Sequence, residues 1–283
     1  MIPVNRELRR SKQNLITILG YIGLSIAAVL VMFPFAWMLS ASFKPDNDVY
    51  EFPIRWIPKI FRWQNYVDIW KQIKFGVFYF NTVKLTVIIT FLQLLTSSLA
   101  AYAFAKIKFK GRNTLFIAYI GTIAVPFQVY MIPQFIIIRK LGLSDSHLSL
   151  ILIQAFTAYG VFLLRQFFMS IPEELSESAR IDGLGELGIY AKIILPLAKP
   201  ALTSLGIFTA VFVWNDFLGP LIYLTSQKNL TIQLGIRLFL SDYNQSFALI
   251  MAAAVCSMIP IVLVFLTAQR FLIEGIATTG IKG

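Results

Sequence analysis

Long apolar runs separated by short polar links dominate the chain. Three runs contain no Asp, Glu, Lys or Arg: Gln13 to Phe43, Asn113 to Ile138 and Tyr243 to Gln269. Two shorter ones, Leu85 to Ala105 and Ser146 to Leu164, approach the same length. A sixth, Ala201 to Gln227, is interrupted once, by Asp216. About 20 apolar residues carry a helix across the hydrocarbon core of a bilayer. The pattern therefore predicts an all-α membrane protein with six transmembrane helices.

Composition sharpens this. Of 283 residues, 57% are hydrophobic and 14% charged, with mean hydropathy +0.72; a soluble domain carries about a quarter charged residues. The net charge of +11 would point a soluble chain toward nucleic acid. Here Lys and Arg collect between apolar runs, as cytoplasmic loops do, and no nucleic-acid role is expected. The first run follows Arg6, Arg9, Arg10 and Lys12. It is too long for a secretory leader and no small-x-small cleavage pattern follows it, so it reads as an uncleaved first span.

Orientation follows from the loops. The link Lys106 to Arg112 holds Lys106, Lys108, Lys110 and Arg112, which places it in the cytoplasm. Both termini, including Arg270 and Lys282, then lie on that side of a bacterial or archaeal plasma membrane. Ser40 to Phe80 is the largest external part. Its Trp56, Trp63, Trp70, Tyr66 and Tyr79 suit either headgroup level or ordinary packing.

Catalytic and metal chemistry find little to work with. The one cysteine, Cys256, lies in an apolar run, and the one histidine, His147, sits in a short polar loop. Neither has a partner cluster at ligand spacing. Gly183-x-Gly185-x-x-Gly188 spells a dinucleotide fingerprint but lacks the preceding strand that motif requires. No phosphate-binding loop occurs, so the chain is not itself an ATPase.

The segment Ser170 to Pro200 is too polar to span and is patterned. Ser170-Ile171-Pro172-Glu173 reads as a helix start with a Ser cap. Glu173, Glu174 and Glu177 favour the positive end of that helix. Gly183 and Gly185 then break it, and Glu186 to Ile194 forms a second segment. Glu177-Ser178-Ala179, Gly183 four residues on, then Ile193, Leu195 and Pro196 resemble the EAA loop of ABC importer permeases. Every spacing matches; Ser178 replaces the usual Ala. Arg180, Ile181 and Asp182 bring the run closest to the carbohydrate branch, permeases similar to the second membrane subunit of maltose-type transporters. Trp214-Asn215-Asp216-Phe217 with Pro220-Leu221, and the terminus Gln269 to Gly283, resemble the same branch.

The resemblance implies a type I ABC importer permease fold with a cytoplasmic coupling helix. Its residues would be Glu177, Ser178, Ala179, Arg180, Asp182, Gly183, Ile193, Leu195 and Pro196, docked into an ATP-binding subunit. It implies a second permease, two ATP-binding subunits, an extracytoplasmic sugar-binding protein and a sugar as partners. No cofactor is expected in this chain; ATP and Mg belong to the ATPase. Small Ser178, Ala179 and Gly183 would let a partner approach closely, apolar Leu175, Ile181 and Leu184 would fill its groove, and Glu177 with Arg180 would set register.

Domain organisation follows: residues 1–77 hold the first span and external segment, 78–270 the transport core, and 271–283 a cytoplasmic tail. Ionisable and amide groups inside spans are costly and mark candidate solute contacts. Trp214, Asn215, Asp216 and Gln154 are such candidates, with a helix-capping role for Asp216 equally open. Gln93 and Gln128 either line a polar path or join helices, and Lys84 near the external end of span two reads as snorkelling outward. The alternatives are an ion-gradient-driven transporter, an integral-membrane enzyme, or a permease for another solute such as a glycerol phosphate.

Overall fold

The computed structural model describes residues 4–240 and 246–280, with side chains described for 13–240 and 246–269. Arg6, Arg9, Arg10 and Lys12, the side chains from Arg270 onward, and Ile281 to Gly283 lie outside this set. So does the Tyr243 end of the last apolar run.

The described chain is helical, without strands. In order it forms α1 (Val4–Ser42), α2 (Asp46–Val49), α3 (Gln64–Gln72), α4 (Phe75–Lys106) and α5 (Arg112–Gly121). Next come α6 (Phe127–Lys140), α7 (His147–Gln154), α8 (Ala158–Ser170), α9 (Glu174–Ile181) and α10 (Glu186–Ile189). Last are α11 (Leu195–Leu197), α12 (Lys199–Trp214), α13 (Leu218–Tyr223), α14 (Ile232–Arg237) and α15 (Phe247–Gly280).

Four helical stretches are long and apolar enough to cross a bilayer: 13–42, 75–106, 147–170 and 247–269. Two further pairs qualify if each bent pair counts as one span. The run Asn113 to Ile138 is such a pair, bent by 99° between Ala124 and Phe127. Pro126 explains the break. It removes a backbone donor and drives Val125 into an extended conformation (φ −84°, ψ 113°). The second pair joins residues 186–197 to α12 at 77°. Pro196 and Pro200 lack N–H groups there, and a five-residue π turn, Tyr190–Ile194, absorbs the mismatch. The Ala201 to Gln227 run is interrupted too. Its long helix stops at Trp214, and only the six-residue α13 follows.

The chain divides into two compact units. One comprises residues 1–69 and 239–256. Its α1 exposes apolar side chains on every side between Leu15 and Met32, a surface suited only to lipid or to another protein. Beyond α1 the external segment is tied by backbone contacts. Asn65 donates through Nδ2 to the carbonyls of Ser42 and Lys44 (2.8 and 2.9 Å). Asp46 accepts from the Ala248 N–H and the Ser246 hydroxyl (2.9 and 2.7 Å), capping the start of α15. Trp56 packs edge-on against Phe33 and Trp37, and Trp63 against Phe43, so these rings serve packing.

The other unit comprises residues 70–238 and 257–283. Here α4 packs along α8 and α12. One core, with Tyr102, Leu164, Phe168, Ile171 and Ile194, underlies α9 and α10. A second, with Phe78, Leu85, Ile138, Val213 and Tyr223, lies toward the other end of α4.

Asp145 closes that second end. Its backbone is left-handed (φ 53°), and its Oδ1 accepts from the N–H groups of Thr225 and Ser226 (both 2.9 Å). Oδ2 accepts from the Ser226 hydroxyl, while Asn229 donates to the Asp145 carbonyl (2.6 Å). His147 donates from Nε2 to the Asn229 carbonyl (2.8 Å), which gives the lone histidine a structural role. These bonds, the Ser226 hydroxyl first, hold the Asp145 carboxyl well below the usual carboxylate range. A depressed folded pKa adds stability that is present above the unfolded value of about 3.9 and lost as pH falls through the folded one. Asp145→Asn, which tolerates the left-handed backbone, should therefore melt below wild type at pH 7. Melts at decreasing pH check this: the gap should shrink below about pH 4.

Candidate functional site

Two constellations lie within the larger unit. The first is the polar segment between α8 and α12. Ser170 does not cap a new helix: it ends α8, and its hydroxyl turns back to the Phe167 carbonyl (2.7 Å). The next helix, α9, starts at Glu174. It ends at Gly183, whose φ is +85°. The Gly183 N–H bonds the Arg180 carbonyl (3.0 Å) and the Leu184 N–H the Ala179 carbonyl (2.9 Å), the paired bonds of a Schellman cap. Glycine is required by that backbone conformation; a Cβ there would meet open space.

Ala179 is 4% exposed and packs into its own chain's core. Its small size lets α9 lie down on the bundle, so it is not a surface on which a partner could rest. Ser178 is exposed and its hydroxyl bonds the Glu174 carbonyl (2.9 Å). Leu184 is likewise partly buried in the core, with Ile193 and Leu195. The apolar groups presented outward are Ile181 (87% exposed), Leu187 (76%) and Leu175 (42%). Glu177, Asp182 and Pro196 are exposed as well.

A chain of charges fastens this segment to the end of α4. Lys106, nearly buried, donates from Nζ to the Ile171 carbonyl (2.7 Å) and to Glu173 Oε2 (3.2 Å). Arg180 lies 3.5 Å from Glu173 and donates from Nε to Glu186 (3.0 Å). The Tyr102 hydroxyl donates to the other Glu186 oxygen (2.6 Å). Arg180 is thus engaged within its own chain while its side chain stays 38% exposed. The sequence contained every member of this network but gave no sign that they meet, since they span residues 102–186.

The second constellation is a cavity of about 790 Å³ between α4, α6, α7, α12 and α13. Gln154, Asn215 and Asp216 line it; Trp214 does not. The indole is buried and donates to the Ser257 carbonyl (2.9 Å), because successive residues leaving a helix point to different sides. Asp216 Oδ1 accepts from the Gly219 N–H (3.1 Å) and Oδ2 from Gln154 Nε2 (2.8 Å). It therefore caps α13 and faces the cavity at once. A Cβ on residue 219 would sit 2.5 Å from Asp216 Oδ2, so the close approach needs glycine. Gln93 joins helices and also borders the cavity. It donates to the Gln154 carbonyl (2.7 Å) and accepts from the Thr209 hydroxyl (3.0 Å).

Several helices long and apolar enough to cross a bilayer define an integral membrane protein. Residues 93–277 match the family model described as "Binding-protein-dependent transport system inner membrane component", and the chain belongs to that family. It is 33% identical over 279 residues to the arabinooligosaccharide transport system permease AraQ of Halalkalibacterium halodurans, covering 98% of this chain and all of that one. It is 33% identical over 268 residues to the sn-glycerol-3-phosphate permease UgpE of Yersinia enterocolitica, covering 90% of this chain and 94% of that one. Among solved structures, a bacterial ABC transporter importing the acidic polysaccharide alginate superposes with TM-score 0.81 at 25% identity, over 92% of this chain and 97% of that one.

The chain is therefore a permease subunit of a binding-protein-dependent ABC importer in the inner membrane, and not an enzyme. Such permeases carry no cofactor; ATP belongs to the partner ATPase.

Proposed function

We propose that this chain forms half of the membrane pathway of an ATP-driven sugar importer, with α9 and α10 as the helix that couples it to an ATP-binding subunit. The sugar assignment draws on the relatives, which include an arabinooligosaccharide permease and an alginate importer. In this reading the chain crosses six times, with the bent pair 112–140 as one span, residues 201–227 as another, and both termini and segment 170–200 in the cytoplasm. The transport core is 78–270, preceded by the external segment and followed by the tail 271–283. A second permease, two ATP-binding subunits and an external sugar-binding protein complete the assembly.

One observation carries the coupling assignment. Ile181 and Leu187 project apolar side chains into water from a loop that the Lys106–Glu173–Arg180–Glu186 network and the Gly183 cap hold firmly. A preorganised apolar knob beside the exposed Glu177 fits a groove on another protein, and a held loop transmits force where a slack one dissipates it. The positive charges of the 106–112 link support the reading of this end as cytoplasmic, the side where ATP is available.

Gly183→Trp tests the assignment. A Cβ at Gly183 meets nothing within 4 Å; the left-handed backbone costs about 1–2 kcal/mol. The variant should insert normally, lose co-purifying ATPase and lose transport. Gly183→Asn, which accepts the same backbone, should retain both. Survival of co-purification and transport in Gly183→Trp would remove the docking role from this turn.

A further inference from the structure

We propose that the cavity beside Asp216 is a solute-contact site contributed by this chain itself, built for neutral polyhydroxylated solutes and against anionic ones. The inference rests on the permease reading above. Its volume, about 790 Å³, falls within the range of small-molecule sites.

Amide, hydroxyl and carboxyl side chains line it: Gln93, Gln128, Gln134, Gln154, Thr157, Asn215 and Asp216. Five are amides, a group that both donates and accepts as hydroxyl groups do, although those of Gln93, Gln134, Gln154 and Asn215 are partly engaged within the chain. The rings of Phe127, Tyr130, Phe156, Phe212 and Phe217 supply the apolar remainder, surfaces against which the C–H faces of a sugar pack.

Gln154 gives the sharpest indication. Its Nε2 is committed to Asp216, yet its Oε1 is buried without any hydrogen-bond donor from the described chain. A buried acceptor without a partner is unfavourable, and a turn of the Gln154 side chain toward the cavity would present it to a solute hydroxyl. Asp216 has one donor on each oxygen, leaving further lone pairs for hydroxyls.

Charge decides the class of solute. No Lys, Arg or His lines the cavity, and its one formal charge is the Asp216 carboxylate. A phosphate or uronate there would lie near a like charge with no cation among the lining residues to offset it. This separates the chain from a glycerol-phosphate or alginate carrier, although proteins of both kinds are among its relatives.

Solute protection of a cysteine tests the proposal in the complete transporter in nanodiscs, without the binding protein. Cys256→Ser removes the chain's one cysteine, and Asn215→Cys places a thiol at the cavity. Alkylation of that thiol should be slowed by millimolar arabino-oligosaccharide and not by glycerol 3-phosphate or oligoalginate. Adding Gln154→Leu should raise the half-protecting oligosaccharide concentration about tenfold, the usual cost of a lost hydrogen bond. No protection by any sugar, equal protection by the anions, or no effect of Gln154→Leu overturns it. ATP-dependent uptake by the same complex is read in parallel. Uptake without protection defeats the solute site and leaves the permease reading intact; a complex with no ATP-dependent uptake of any solute defeats both.

Discussion

A Gly160→Leu variant should fail to assemble its bundle, accumulating at a small fraction of the wild-type level. At Gly160, α8 crosses α4 and α12 so closely that a single added Cβ would lie 2.6 Å from Ser97 Oγ, 2.7 Å from Thr157 Cγ2 and 3.2 Å from Leu205 Cδ2. Small residues at helix crossings are how membrane bundles gain packing, since lipid tails supply no hydrophobic drive between helices. Overpacking costs about 1–3 kcal/mol for a few added methylenes, and leucine adds a branched side chain at a point with no free space. Gly160→Ala should already lower the melting temperature by a few degrees, at about 2–4 °C per kcal/mol for a chain approaching this size. Ser97 offers the control. Its hydroxyl is buried without a partner, so Ser97→Ala should be neutral or mildly stabilising and should recover part of the Gly160→Ala loss. Purely additive effects of the two changes would argue against their contact.

Breaking the charge network should separate ATP hydrolysis from transport. Lys106→Met leaves the buried Ile171 carbonyl without its ammonium donor and frees Glu173 from its fixed position. A hydrogen bond from a charged donor contributes about 1.5–3 kcal/mol, enough to raise the undocked fraction of the loop roughly tenfold or more. The Glu173–Arg180 and Arg180–Glu186 pairs are each more than a third exposed and contribute less, about 0.2–1 kcal/mol apiece. Glu173→Gln should therefore have a smaller effect than Lys106→Met, and the double variant should be no worse than Lys106→Met alone. The measurement is solute imported per ATP hydrolysed in proteoliposomes. That ratio should fall about tenfold in Lys106→Met while the ATPase remains bound. An unchanged ratio would mean that the loop follows the bundle without this tie.

Much of the architecture was legible along the chain because burial in lipid writes directly into composition. Runs such as Gln13 to Phe43 and Leu85 to Ala105 need apolar side chains on all faces, and no tertiary contact is required to see them. The spaced pattern from Glu177 to Pro196 was equally legible as a family mark. What it did there was not. Ala179 and Gly183 both looked like clearance for a partner, yet one is small to seat α9 on its own core and the other is glycine for its φ of +85°. The run Asn113 to Ile138 counted as one uninterrupted stretch because charge counting is blind to a proline-induced bend.

The sequence alone determined that helices cross a membrane, roughly where, and that the polar segment before α12 bears the mark of an importer permease. Those properties depend on local composition and spacing. Only the tertiary structure decided that Lys106, Glu173, Arg180, Glu186 and Tyr102 meet, that Trp214 turns from the cavity while Asn215 and Asp216 face it, and that Gln154 carries an unmet acceptor. These depend on the directions of side chains brought together from distant helices, which no periodicity along one helix encodes.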